Sequence, residues 1–360
     1  MRIAYDPVIF CLQRYGGISR YYCELARRLN GAGDTVADIV APVHRNAYLA
    51  DLSSPTIGRD TEWGQFFATP LIVANRARLA VARGSHAPYD VLHETYYERT
   101  PMPIAARTRV VTVHDMIHEK FSAEFSRADT TSARKRAAVA RADRVICVSE
   151  HTKRDLQELF ETPSEKITVV HHGFTEPPEG AAPRVDRPFV LYVGQRAGYK
   201  NFQRLLRAFA ASERAKRSFA LVCFGGEPFD RRERALCASL GLDERSVLRF
   251  AGGDDVLGAL YRSARALVYP SLYEGFGLPP LEAMSVGCPV LASDASSIPE
   301  VVGGAARLCD PRSIDSIREG LESLLFDEAQ RAALVRAGHT RAARFSWNDC
   351  ARRTLAVYEG

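Results

Sequence analysis

The stretch VYPSLYEGFGLPPLE, residues 268–282, decides how the rest of the chain is read. A strand-like run ends at Pro270-Ser271-Leu272-Tyr273, Glu274 follows, a Gly-containing segment opens a helix, and a second carboxylate, Glu282, comes eight residues after the first. The backbone N–H groups of Gly277 and Leu278 fall in the first helical turn, where they lack an intrahelical acceptor and the dipole favours negative charge. A phosphate is the expected guest of such a terminus. Glu274, just ahead of the turn, can accept from hydroxyls beside that anion, and Glu282, about two turns on, can reach a second polyol such as a ribose. A phosphate between two sets of hydroxyls describes a sugar nucleotide.

On either side of this stretch, short apolar runs alternate with longer helical patterns, the signature of parallel sheets wrapped by helices. The runs in the first half are 2–5, 36–41, 91–93, 110–113, 144–148 and 167–171; those in the second are 189–193, 220–224, 247–250, 266–269, 290–292 and a weaker 306–308. Between the two sets, residues 173–183 are rich in Pro and Gly and read as a linker. The expected domains are therefore 1–177 and 178–345, with a last helix in 346–360 that crosses back to the first.

A length of 360 residues, 46% of them hydrophobic and 25% charged, suits two ordinary globular domains. The formal charge of +5 is spread evenly: residues 1–177 carry 23 basic and 21 acidic side chains, and the remainder 25 and 22. Neither half is basic enough for a nucleic-acid partner. The eight cysteines form no C-x-x-C pair and several sit in apolar runs, so they read as reduced thiols of a cytoplasmic protein. The chain opens on a strand, and no apolar run approaches the ~20 residues that cross a bilayer. Any membrane contact is expected to be peripheral.

Four further features carry chemistry. Arg196 and Lys200 follow a strand and Gly194 in YVGQRAGYKNF, two cations in one short loop suited to clamping a diphosphate. Asp-x-Asp, a pattern that bridges nucleotide diphosphates through a metal, does not occur, so leaving-group charge falls to side chains and helix dipoles. Gly16 and Gly17 lie between the first strand and first helix, where they permit close backbone approach by a ligand. His114 ends the strand 109–113 at the edge where open α/β sheets bind ligands, with His93 a weaker parallel. The basic run from Arg134 to Arg144 reads either as a docking face for anionic lipid or as a solvated helix face.

Together these segments, with ADRVICVSEHTKRDL at 142–156 and SSIPEVVGG at 296–304, resemble family 4 of the retaining glycosyltransferases, whose fold is GT-B: two Rossmann-like α/β domains with parallel sheets facing across an interdomain cleft. The resemblance implies a catalytic set of His114, Glu274, Arg196 and Lys200. Glu274 would contact donor-sugar hydroxyls with Phe276, Gly277 and Leu278, Glu282 would bind the ribose, and Phe250, Ala251 and Leu257 would meet the base. Gly16 and Gly17 would approach the phosphates, and Gly194, which lets the chain turn, would belong to the donor site. It also implies transfer without a metal or other cofactor. The HDMIHEKF and YGGISRY segments resemble bacterial O-antigen and surface-polysaccharide mannosyltransferases, which implies GDP-mannose as donor, UDP-hexose as the alternative, and a lipid-linked saccharide acceptor at the inner face of the cytoplasmic membrane. A sugar-nucleotide epimerase and a non-catalytic nucleotide-sugar-binding protein are the rival readings.

Overall fold

The computed structural model describes every residue except 31–32, 53, 55, 62–66, 83–86 and 197. It divides into two units, Met1–Gly173 with Trp347–Gly360, and Phe174–Ser346. The break falls a few residues before the expected 177/178. The cause is Arg262, which donates to the carbonyls of Pro177 (2.8 Å) and Pro178 (2.9 Å) and so binds the Pro-rich linker to the second unit. A Cβ at Gly258 would sit 2.1 Å from the Pro178 carbonyl, so a glycine is required where the linker crosses the helix Asp254–Ser263.

In the first unit the strands are β1 (Arg2–Tyr5), β2 (Val36–Ile39), β3 (Ala41–His44), β4 (Ile57–Asp60), β5 (Tyr89–Glu94), β6 (Ala106–Val113), β7 (Arg144–Cys147) and β8 (Ile167–Val169). Among the described residues, six form a parallel sheet in the order β2-β1-β5-β6-β7-β8, and β3 pairs with β4 in a separate parallel pair. The expected single run 36–41 is thus two strands, because the chain leaves the main sheet after Ile39 and Pro42 sits in the small pair, where a missing donor is tolerated. The order reverses between β1 and β5, the switch point at which open α/β sheets form a crevice. The C-terminal helix Trp347–Glu359 packs on the helix Gly17–Leu29, and Arg353 donates to the Val169 carbonyl at 3.0 Å.

The second unit carries β9 (Phe189–Val193), β10 (Ala220–Phe224), β11 (Val247–Phe250), β12 (Ala266–Tyr269), β13 (Val290–Ser293) and β14 (Arg307–Cys309). Their order, β11-β10-β9-β12-β13-β14, is all parallel and is that of the dinucleotide-binding doubly wound fold, with its switch point between β9 and β12. β9, β10, β12 and β13 are buried along their whole length, as central parallel strands covered on both faces must be. Each unit has its own apolar core. All eight cysteines are free thiols, seven of them buried. No helix among the described residues is long and apolar enough to cross a membrane.

Candidate active site

At the β9/β12 switch point two loops are tied to each other. Asn201, in the left-handed conformation (φ 64°), donates from Nδ2 to the carbonyls of Pro270 (2.9 Å) and Pro311 (2.6 Å), and the Leu272 N–H donates to the Tyr199 carbonyl at 2.7 Å. That bracing sets Lys200 against Glu274: Nζ lies 2.7 and 2.9 Å from the two carboxylate oxygens. Glu274 is buried. Its backbone is fixed as well, with its N–H donating to Ser296 Oγ (2.9 Å), while Ser297 Oγ lies 2.8 Å from the carbonyls of both Glu274 and Phe276. Burial raises the Tyr269 phenol well above its ordinary pKa, and the Glu274 charge and hydrogen bond raise it further, so Tyr269 stays protonated beside the carboxylate.

Immediately beyond, the helix Leu278–Ser285 begins at Gly277, whose φ of 122° is closed to other residues. Pro279 and Pro280 fill the first turn and have no N–H, so the free donors at this terminus are the ones ahead of them, at Gly277 and Leu278. Phe276 packs its ring against Phe345 (centroids 5.7 Å), and its carbonyl accepts from Ser297 Oγ. Glu282 lies on this helix and accepts from the Tyr261 hydroxyl at 3.1 Å. Phe250 ends β11, Ala251 follows it exposed, and Leu257 is half-buried on the helix Asp254–Ser263. Gly194 turns the chain after β9 at φ 123°.

Arg196 is engaged by its own neighbours. Its Nε donates to Glu233 at 2.6 Å, Nη2 reaches the other Glu233 oxygen at 3.3 Å and the Glu227 carbonyl, and the guanidinium lies 4.7 Å over the Phe229 ring. Among the described residues it is held to the helix Arg231–Ser239 and is not paired with Lys200 and Glu274. Sequence reasoning also gave no role to Asn201, Tyr261, Ser296 or Ser297. The signal for the last two was SSIPE, a Ser-Ser pair leading a Pro-started helix.

In the first unit His114 directly follows β6 and is almost fully buried, its Nε2 without a hydrogen-bond partner among the described residues. Burial, then the charges of His93 and Lys135, lower its pKa to about 3. It stacks on His172 (5.5 Å, 7°) and meets Tyr21 edge-on at 5.4 Å. His93 is structural: Nδ1 lies 2.6 Å from the Tyr358 hydroxyl and Nε2 2.8 Å from Thr112 Oγ1. Gly16 precedes the helix Gly17–Leu29, where the Gln13 side chain accepts from the Ser19 N–H at 3.1 Å and a Cβ on Gly17 would meet nothing.

The basic run 134–144 is not a free cationic face. Lys135 is fully buried against Glu119 (2.8 Å) and the Asp115 carbonyl (2.8 Å), Arg134 pairs with Glu98 (3.1 Å), Arg141 with Glu94, and Arg144 donates to the Val357 carbonyl.

Two doubly wound α/β units, one presenting a cation, a carboxylate and a helix N-terminus at its switch point, define a two-domain α/β protein with an anion-receptive crevice. The model of glycosyl transferases group 1 matches residues 175–341, and that of Glycosyltransferase Family 4 matches residues 15–176. The chain is 31% identical over 323 residues to the MMP alpha-(1->4)-mannosyltransferase of Mycolicibacterium hassiacum, covering 83% of this chain and 77% of that one. It is also 31% identical over 229 residues to O-antigen chain mannosyltransferase B of Escherichia coli, spanning 60% of each chain. Sucrose-phosphate synthase from Thermosynechococcus elongatus superposes with a TM-score of 0.76 at 21% identity, over 99% of this chain and 98% of that one. This chain belongs to the family 4 glycosyltransferases, and its fold is GT-B.

Proposed function

We propose that the chain transfers mannose from GDP-mannose to a saccharide acceptor, lipid-linked, in bacterial surface-polysaccharide synthesis, with retention at the anomeric carbon and without a metal. The observation that carries this reading is the Lys200–Glu274 pair held beside the proline-started helix terminus at the switch point. The terminus and Lys200 offset the charge of a diphosphate, and Glu274 accepts from sugar hydroxyls. In the reaction the bond from the anomeric carbon to the diphosphate oxygen breaks as the acceptor oxygen bonds to the same face. The acceptor proton passes to the departing diphosphate oxygen. Glu274 orients hydroxyls and forms no covalent bond, unlike the nucleophilic carboxylate of retaining glycoside hydrolases. His114, neutral in its buried setting, donates to or accepts from the sugar. Mannose and a surface-polysaccharide acceptor draw support from the mannosyltransferase relatives, one of them an O-antigen chain enzyme.

A thermal-shift panel of GDP, UDP, ADP, dTDP and CDP in EDTA tests the donor, followed by NMR of the anomeric configuration of the product. A shift with GDP is expected; a shift with UDP alone would replace GDP-mannose by a UDP-hexose. A covalent sugar trapped on Glu274 would overturn the mechanism.

A further inference from the structure

Away from the donor-side cluster, the first unit carries two arginines with buried guanidinium nitrogens that lack a hydrogen-bond partner among the described residues. Arg45, just after β3, is 8% exposed, yet its Nε and Nη1 are buried with no hydrogen-bond partner among the described residues. Arg14 has a buried Nη1 in the same condition. Charged donors withdrawn from water are ordinarily paired, because leaving them without an acceptor is costly. The backbone brings the two segments together: the Arg45 N–H donates to the Phe10 carbonyl (3.2 Å), Asn46 Nδ2 to the carbonyl of Gln13 (2.7 Å), and the Ala47 N–H to that of Arg14 (2.9 Å).

The Arg14 segment runs directly into Gly16 and the N-terminus of a 13-residue helix, whose dipole adds to the positive potential. The approach is open at Gly17, and Tyr15 stands 67% exposed, edge-on to Tyr48 at 5.8 Å. Arg45 Nε and Nη1 and Arg14 Nη1 are donors of the kind that a phosphoryl oxygen answers, and the forked geometry of arginine suits such an anion better than an ammonium would. An exposed aromatic ring beside them suits the face of a sugar.

We propose that Arg45 and Arg14 form a phosphoryl-binding subsite for the acceptor, whose phosphate is carried by a lipid anchor or by a soluble phosphorylated saccharide. The word acceptor rests on the glycosyl-transfer reading; neither arginine belongs to the set expected to hold the donor, of which Lys200 and the helix Leu278–Ser285 lie in the other unit and Gly16 and Gly17 follow Arg14.

Calorimetric titration of the full chain with inorganic pyrophosphate tests this. Wild type is expected to show two sites, Arg45→Met and Arg14→Gln to weaken one of them ~10-fold or more, and Lys200→Gln to remove the other. One site, lost in Lys200→Gln and untouched in Arg45→Met, overturns the proposal, as does the absence of any binding. Loss in Arg45→Met with no effect of Lys200→Gln upholds the subsite and defeats the donor reading instead. Arg45→Met is also expected to melt at or above the wild-type temperature in phosphate-free buffer, since it removes an unpaired buried charge; a clear drop would make Arg45 a structural residue and end the proposal. Co-sedimentation with phosphatidylcholine vesicles containing phosphatidic acid, lost in Arg45→Met, assigns the lipid source, and pyrophosphate binding without sedimentation assigns the soluble one.

Discussion

The ammonium of Lys200 touches both oxygens of Glu274, so each neutralises the other until a ligand divides them. A diphosphate arriving at the helix terminus competes for Lys200 and leaves the carboxylate to accept from sugar hydroxyls. Glu274→Gln should therefore lower kcat by roughly 100- to 1000-fold, the usual cost of one electrostatic contact to the transition state, while nucleotide affinity holds or rises. A fall in affinity would show that Glu274 acts by positioning Lys200. The buried histidines make a second prediction. Burial lowers His93 and His114 to about 3 and His172 in the same direction, against an ordinary 6.5. A depressed histidine stabilises the fold above its unfolded value, and that contribution is lost as pH falls from 6.5 towards 3, by about 1.4 kcal/mol per pH unit per group. Asp6, raised to about 7 by burial and then by Glu94, works in the opposite sense, losing stability as pH rises from 3.8 through 7. Three groups outweigh one, so urea unfolding of wild type should show a steep loss of stability between pH 6.5 and 4.5, shallower in His93→Gln. A flat profile would mean the histidines are charged in the fold. Glu274, Lys200 and His114 were visible in the sequence because each follows a recognisable strand end. The engagement of Arg196 was not, because its partner Glu233 is 37 residues away and nothing local encodes that pairing.

Most strands were legible because buried parallel strands are continuous apolar runs, and β1, β9, β10, β11 and β12 fall on the residues read from the sequence. β4 was not legible. Its Ile-Gly-Arg-Asp has no alternation, three of its four residues are exposed, and it pairs only with β3. The helix start after Glu274 was read from its Gly-containing segment, and Gly277 shows the consequence. Alanine there must adopt a φ of 122° and place its Cβ 2.9 Å from Ile298 Cδ1. Gly277→Ala should cost about 1–3 kcal/mol in stability and weaken nucleotide binding, because the terminus that receives the phosphate is displaced; stability lost with binding intact would place the phosphate elsewhere. The C-terminal helix supplies a separate test. Tyr358→Phe removes the hydroxyl 2.6 Å from His93 Nδ1 and leaves that buried nitrogen without its partner, which should cost about 1–3 kcal/mol in urea unfolding. A neutral result would mean that water replaces the hydroxyl and that the helix is held by its apolar contacts and by the bonds of Arg353 and Arg144.

Each unit closes a core of its own around a six-stranded parallel sheet, and of the residues expected to hold the nucleotide Lys200, Glu274 and Glu282 belong to Phe174–Ser346, whereas Gly16 and Gly17 belong to the other unit. A ligand stabilises whichever cooperative unit binds it, by about 2.7 kcal/mol at a hundred times its dissociation constant. Differential scanning calorimetry should therefore resolve two transitions, of which saturating nucleoside diphosphate raises one. The assignment can be made with Tyr358→Phe, which weakens only the first unit and so lowers the other transition. If the nucleotide raises both transitions together, the first unit also contacts it, and Gly16, Gly17 and His114 become candidates for that contact. If it raises only the transition that Tyr358→Phe lowers, the nucleotide binds the first unit, and the assignment of Lys200 and Glu274 to the donor fails.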